Sequence, residues 1–149
     1  GSGGIQRAAL SGAVTAAAGS NTTTATAEIA VQIGDGTNVI STGVKGYIPI
    51  DFNCTIQQVT LVADAVGSLV IDIWKDTYAN FPPTVADTIT ASAKPTLSSA
   101  QKSKDATLTG WTKTITAGDV LGFNVDSAAT IKLATLALKV TKTSGDCHG

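Results

Sequence analysis

Apolar and polar residues alternate with a period of two through most of the chain, the repeat of a strand whose successive side chains point to opposite faces. Ile29, Val31 and Ile33 form one face of a first strand against Glu28, Ala30 and Gln32, and Gly34-Asp35-Gly36 closes it with turn residues. A second strand is predicted from Tyr47 to Cys54, with Ile48, Ile50, Phe52 and Cys54 on one side. Pro49 has no N–H to donate, which places that strand at an edge or at a bulge. The phase then changes between Ile56 and the series Val59, Leu61, Ala63, the signature of a bulge at Gln57-Gln58. From Ser68 to Asp76 both faces are partly apolar, Leu69, Ile71 and Ile73 on one and Val70 and Trp74 on the other, as expected of a central strand.

Further along, Leu121, Phe123 and Val125 alternate with Gly122 and Asn124 after the turn Thr116-Ala117-Gly118-Asp119. A long last strand is predicted from about Ala129 to Thr141, burying Ala134, Leu136, Leu138 and Val140. Short strands are expected at Thr88–Ala91 and Trp111–Ile115, with Trp111 in the core. The one helix candidate is Leu97–Lys102, entered after Pro95 with Thr96 as its cap. These elements predict an all-β fold, an antiparallel β-sandwich of jelly-roll type, over residues 27–143.

Residues 5–26 read differently. They are small and hydroxylated, with too few large side chains to bury a face of their own, and the expectation is an extended N-terminal stalk segment. Such a segment gains order by packing Leu10, Val14 and Ala17 against other copies of the chain. Residues 1–4, Gly-Ser-Gly-Gly, have the composition of an expression remnant, and 144–149 that of a flexible tail.

Composition narrows the chemistry. The 149 residues are 43% apolar and only 14% charged, with net charge −1, so polarity rests on hydroxyls and amides. Lysines scattered singly give no electrostatic footprint for phosphate backbones, and nucleic acid is not an expected partner. No apolar run approaches the ~18 residues of a membrane span, so no membrane insertion is expected. Two cysteines and one histidine cannot assemble a structural zinc site without carboxylates, and no metal or other cofactor is expected. Cys54 reads as a small buried hydrophobe, while Cys147 and His148 lie in the tail. The Gly34–Asn38 segment lacks the spaced carboxylates and distal glutamate of a calcium loop and reads as a hairpin turn. With the single histidine in the tail and Asp72 and Asp76 about 13 Å apart along one strand, no catalytic residues are assigned and the chain is not expected to be an enzyme.

One loop has the composition of a recognition surface. Trp74, Asp76, Tyr78, Asn80 and Phe81 cluster just before Pro82-Pro83, and rings that stack on sugars stand beside groups that bond hydroxyls. The competing reading has Trp74 and Phe81 plugging one end of the sandwich, with the prolines fixing the crossover.

Two segments resemble known viral sequences. ALSGAVTAAAGSNTTTATA, from Ala9 to Ala27, resembles the shaft repeats of tailed-bacteriophage fibres, with Ala13 where an Asp is frequent. Val70 to Val140 resembles a small β-sandwich domain of predicted phage tail and virion proteins, most specifically in DIWKDTYANFPPT, KPTLSSAQ, LTGW and AGDVLGFNVDSA. The resemblance implies a structural, non-enzymatic virion protein, typically carried at a tail-fibre tip and often trimeric. Other virion proteins are expected partners, and a host-surface glycan is one that the aromatic loop, repeated three times in a trimer, could hold. A head fibre or decoration protein and a carbohydrate-binding module are the alternatives.

Overall fold

The computed structural model describes residues 14–16 and 23–143. Eight strands account for most of them: β1 (Val14–Ala16), β2 (Thr23–Gly34), β3 (Gly43–Ile50), β4 (Cys54–Thr77), β5 (Thr96–Asp105), β6 (Thr114–Ile115), β7 (Asp119–Ala129) and β8 (Leu133–Thr143). All pairings are antiparallel. β4 serves two layers because it bends and changes neighbours halfway, from β8 to β7, and β5 follows it around the bend. The first half of β4 pairs with β8 and the last part of β5, while its second half pairs with β7 and the first part of β5. One layer therefore runs β2, β8, β4, β5, with β1 added outside β2. The other runs β3, β7, β4, β5. The two layers, β2–β8–β4–β5 and β3–β7–β4–β5, have the double Greek-key strand order of a jelly roll, so the expected fold class is the one observed.

The core follows from the alternation. Ile29 and Ile33, Leu61, Leu69, Ile71 and Ile73, Leu121, Phe123 and Val125, and Ala134, Leu136, Leu138 and Val140 all point between the layers and are buried. The bulge expected at Gln57-Gln58 appears as a slip of the β4–β8 register between Ile56 and Gln58. Pro49 lies on β3, which among the described residues pairs with β7 alone and so forms an edge.

The corner where β4 crosses between layers has a clear steric cause. Pairing with β5 is interrupted between Val62 and Gly67. A Cβ on Gly67 would lie 2.6 Å from the Ala129 carbonyl oxygen and 2.8 Å from Ile131, so only glycine lets the corner press on the β7–β8 turn. Asp64 Oδ1 accepts from the backbone N–H groups of Lys132 and Leu133, both at 3.2 Å, tying that turn to the corner. Within the turn Thr130 sits at φ 74°, a left-handed conformation unfavourable for a β-branched residue. Thr130→Asn is expected to stabilise the protein by about 1 kcal/mol, read as a higher urea midpoint with an unchanged slope; a lower midpoint would show that the Thr130 side chain holds the corner.

Several expectations change. Leu97–Lys102 is not a helix but part of β5: Leu, Ala, Gln and Lys favour helix, but one or two turns cannot repay helix nucleation, and the open edge of β4 supplies hydrogen-bond partners that a lone turn lacks. Thr96 does not cap, its hydroxyl donating to the Lys94 carbonyl instead. Gly34–Asn38 is no hairpin, because β2 and β3 lie in different layers and the loop crosses between them. The run from Tyr47 to Cys54 is broken at 51–53 for the same reason, although Cys54 is buried. Thr88–Ala91 contributes one bridge, Trp74 to Thr88, and Trp111–Ile115 only its last two residues as β6; Trp111 is buried as expected. Ala129 ends β7 and the last strand starts at Leu133. β2 begins at Thr23, upstream of Ala27, since Thr24, Ala25 and Thr26 find partners in Thr143, Lys142 and Thr141. Val14 lies in β1, which pairs with β2 of the same chain; Leu10, Ala17 and the tail with Cys147 and His148 lie outside the described residues.

Candidate functional site

The outer face of the β3–β7–β4 layer carries the candidate loop. Gly122 on β7 is the register partner of both Tyr47 on β3 and Trp74 on β4. The missing side chain at Gly122 leaves a gap: a Cβ there would sit 3.2 Å from the Tyr47 ring and 3.3 Å from Pro83. Buried Pro83 thus brings the loop that follows β4 back over the sheet. Phe81 meets Tyr47 edge to face, with ring centroids 4.8 Å apart and planes at 71°.

The loop is held by its own hydrogen bonds. Asp76 Oδ1 accepts from the Thr77 N–H at 2.7 Å and the Asn80 amide at 3.3 Å, bracketing a 3-10 turn at Tyr78–Asn80. A second turn at Val85–Asp87 is closed by a capping box, with the Thr84 N–H donating to Asp87 Oδ2 at 2.8 Å. Tyr78 in the first turn is 80% exposed, Phe81 just after it 47%, and Tyr47 on β3 41%. The Asp76 hydrogen bonds, with that of the Phe81 N–H to the Tyr78 carbonyl, hold Asp76, Tyr78, Asn80 and Phe81 within one loop. Phe81 is not a buried plug.

Trp74 plays a different part from the other four. It is half-buried, and its indole N–H donates to Asp72 Oδ2 at 3.0 Å rather than facing outward. Asp72, 1% exposed, is the centre of this network: its Oδ1 accepts from the hydroxyls of Thr88 at 2.6 Å and Thr90 at 2.8 Å. Lys94 stands 3.8 Å from Asp72 Oδ2 and donates to Asp126 Oδ2 at 2.6 Å; Asn124 donates to the other Asp126 oxygen at 2.7 Å. Asp126 reaches Lys94 because it is the extra residue of a bulge in β7, between the partners of Val70 and Ile71. The hydrogen bond to Asp126 holds the Lys94 ammonium above the ordinary lysine range, against a smaller opposing effect of burial. With both oxygens engaged and the side chain 1% exposed, Asp72 fastens segment 88–94 to the sheet and does not face solvent.

Sequence reasoning missed Tyr47. Its signal was only an aromatic on the outward side of an edge strand, and nothing local placed it beside Phe81.

Other reactive groups are quiet. Burial, then the Asp119 charge, pushes the Cys54 thiol upward, away from a reactive thiolate. The backbone N–H groups of Asn38 and Thr37 hold the Asp35 carboxyl below the usual range, with hydrogen bonds of 2.9 and 2.8 Å. Asp35 therefore closes its own turn, beside an open hollow of about 440 Å³ lined by Asn38, Val39, Ile40 and Lys45. Among the described residues, no three His, Cys, Asp or Glu side chains are grouped to hold a metal, and no helix is long and apolar enough to cross a membrane.

No protein-family model and no curated protein sequence matches the chain. Among solved structures it is similar to the Tobacco streak virus coat protein, at 13% identity over 76% of this chain and 86% of that one, with a TM-score of 0.31. A Turnip yellow mosaic virus chain is 10% identical over 78% and 79%, with a TM-score of 0.32. A chain of the Cyanophage Pam1 capsid is 16% identical over 81% and 83%, at 0.31. Overlays this loose carry no functional assignment, and the jelly-roll assignment stands on the strand order of the chain itself.

Proposed function

We propose that this chain is a non-enzymatic structural component of a virion, a tail-fibre or fibre-tip module whose β3–β7–β4 face contacts the host cell surface. The observation that carries the reading is the exposed, internally braced aromatic surface of Tyr78, Phe81 and Tyr47 on a jelly-roll body. A carboxylate as deeply buried as Asp72 would be the natural catalytic candidate in such a fold, and here it is 1% exposed and accepts three structural hydrogen bonds, from Trp74, Thr88 and Thr90. The resemblance of Ala9–Ala27 to fibre shafts and of Val70–Val140 to a virion domain supports the same reading.

Trimerisation is part of the proposal, since a shaft segment poor in bulky side chains gains burial from two neighbouring copies. A second reading, a spacer or decoration domain, is favoured by the pairing of β1 with β2 in the same chain, which ties part of the leader to the sandwich. Sedimentation of the full chain separates the two. A trimer at micromolar concentration is expected of a fibre module; a monomer there leaves the decoration reading in place and removes the fibre.

A further inference from the structure

We infer that the Tyr78–Phe81–Tyr47 surface is a binding site for uncharged pyranose sugars, of the hexose or N-acetylhexosamine class, and that it rejects acidic glycans. This rests on the surface-contact reading above and names what the surface would hold.

Size is the first consideration. A fully covered aromatic side chain accounts for roughly 150–250 Å², so these three rings at their observed exposures offer about 350 Å². A standard protein interface covers about 800 Å² per partner. The patch suits one or two sugar rings better than a folded partner.

Chemistry is the second. The apolar C–H face of a pyranose packs on an aromatic ring, while its hydroxyls need donors and acceptors at the ring's margin. Tyr78 offers an open ring on a pinned turn, and the phenol groups of Tyr78 and Tyr47 can both donate and accept. Asp76 Oδ2 accepts no hydrogen bond among the described residues, because Thr77 and Asn80 both use Oδ1. The Asn80 amide donates to Asp76, which leaves its carbonyl oxygen as a further acceptor. These acceptors suit sugar hydroxyls.

Charge is the third. Residues 76–87 carry two carboxylates, Asp76 and Asp87, and no Lys or Arg. A uronate, sialate or phosphate brought to this surface would meet like charge without a compensating cation in the loop. The loop is also braced before any ligand arrives, by the Asp76 and Asp87 hydrogen bonds, so little ordering entropy opposes binding.

The test is a glycan array carrying neutral and acidic bacterial surface oligosaccharides, probed with the full chain and its variants. Binding to neutral glycans is expected, reduced at least tenfold in Tyr78→Ala and retained within about threefold in Tyr78→Phe, which keeps the stacking face. Tyr78 is exposed, so its alanine variant should unfold at the wild-type urea midpoint, and loss of binding is then a loss of the site. No binding to any neutral glycan, preference for acidic ones, or neutral binding unchanged in Tyr78→Ala overturns the inference. Attachment of the full chain to bacterial cells before and after periodate oxidation separates the two readings. Attachment that survives oxidation overturns the sugar site and leaves surface contact standing, whereas attachment abolished by oxidation and by Tyr78→Ala supports both.

Discussion

Replacing Asp72 by alanine is expected to destabilise the protein by about 3–5 kcal/mol, the range for removing one partner from a buried charged network. The substitution strands the hydroxyls of Thr88 and Thr90 and the indole N–H of Trp74, and leaves Lys94 with one carboxylate instead of two. For a domain whose total stability is about 5–15 kcal/mol this is a large fraction. Asp72→Asn should cost distinctly less, since its carbonyl oxygen still accepts from both threonine hydroxyls while its NH₂ opposes the donors on the other side. Urea unfolding of the three proteins measures the difference, and an alanine variant within about 1 kcal/mol of wild type would mean that the network is not sealed from water. The Lys94 arm has a defined pH dependence. Its folded-state pKa is raised, so its contribution is complete below the ordinary lysine value and fades only as pH rises through the raised one. Stability differences between wild type and Lys94→Met should therefore be flat from pH 6 to 9 and shrink only in stronger alkali.

Gly34→Ala should be comparably damaging, at about 3 kcal/mol or more, for a steric rather than electrostatic reason. Gly34 ends β2 at φ 98°, and an added Cβ would overlap the Lys132 carbonyl oxygen and lie 2.9 Å from Ile40. That carbonyl already accepts from the Gly36 N–H at 3.0 Å, so it cannot swing aside without breaking the loop's anchor. Gly36 supplies the control. It too has positive φ, at 78°, but a Cβ there meets nothing within 4 Å. Gly36→Ala should show only the left-handed backbone cost, about 1 kcal/mol. Equal losses in the two variants would place the whole effect in the backbone conformation and none in the contact with Lys132.

Both effects lie where non-local contacts meet, and this separates what could be read along the chain from what could not. The inward sets on β2, β4, β7 and β8 were legible because a half-buried strand imprints its period on consecutive residues whatever it pairs with. The bulge at Gln57-Gln58 and the edge position of Pro49 were legible for similarly local reasons, a break in phase and a missing donor. The candidate loop was visible as a cluster because its residues are contiguous. Its division of labour was not: Trp74 looked like its neighbours until Asp72 was seen to take its N–H, and Tyr47 belongs to the surface only because the gap at Gly122 lets the loop come down beside it.

The sequence by itself determined an all-strand body, its buried face and a short aromatic loop, since alternation, turn residues and composition act over a few neighbouring positions. Only the tertiary structure decided that Leu97–Lys102 would be strand, that β4 would turn a corner at Gly67, and that Gly34–Asn38 would cross between layers. In each case the deciding free energy comes from hydrogen bonds and packing between segments far apart in the chain, and a weak local preference gives way to them.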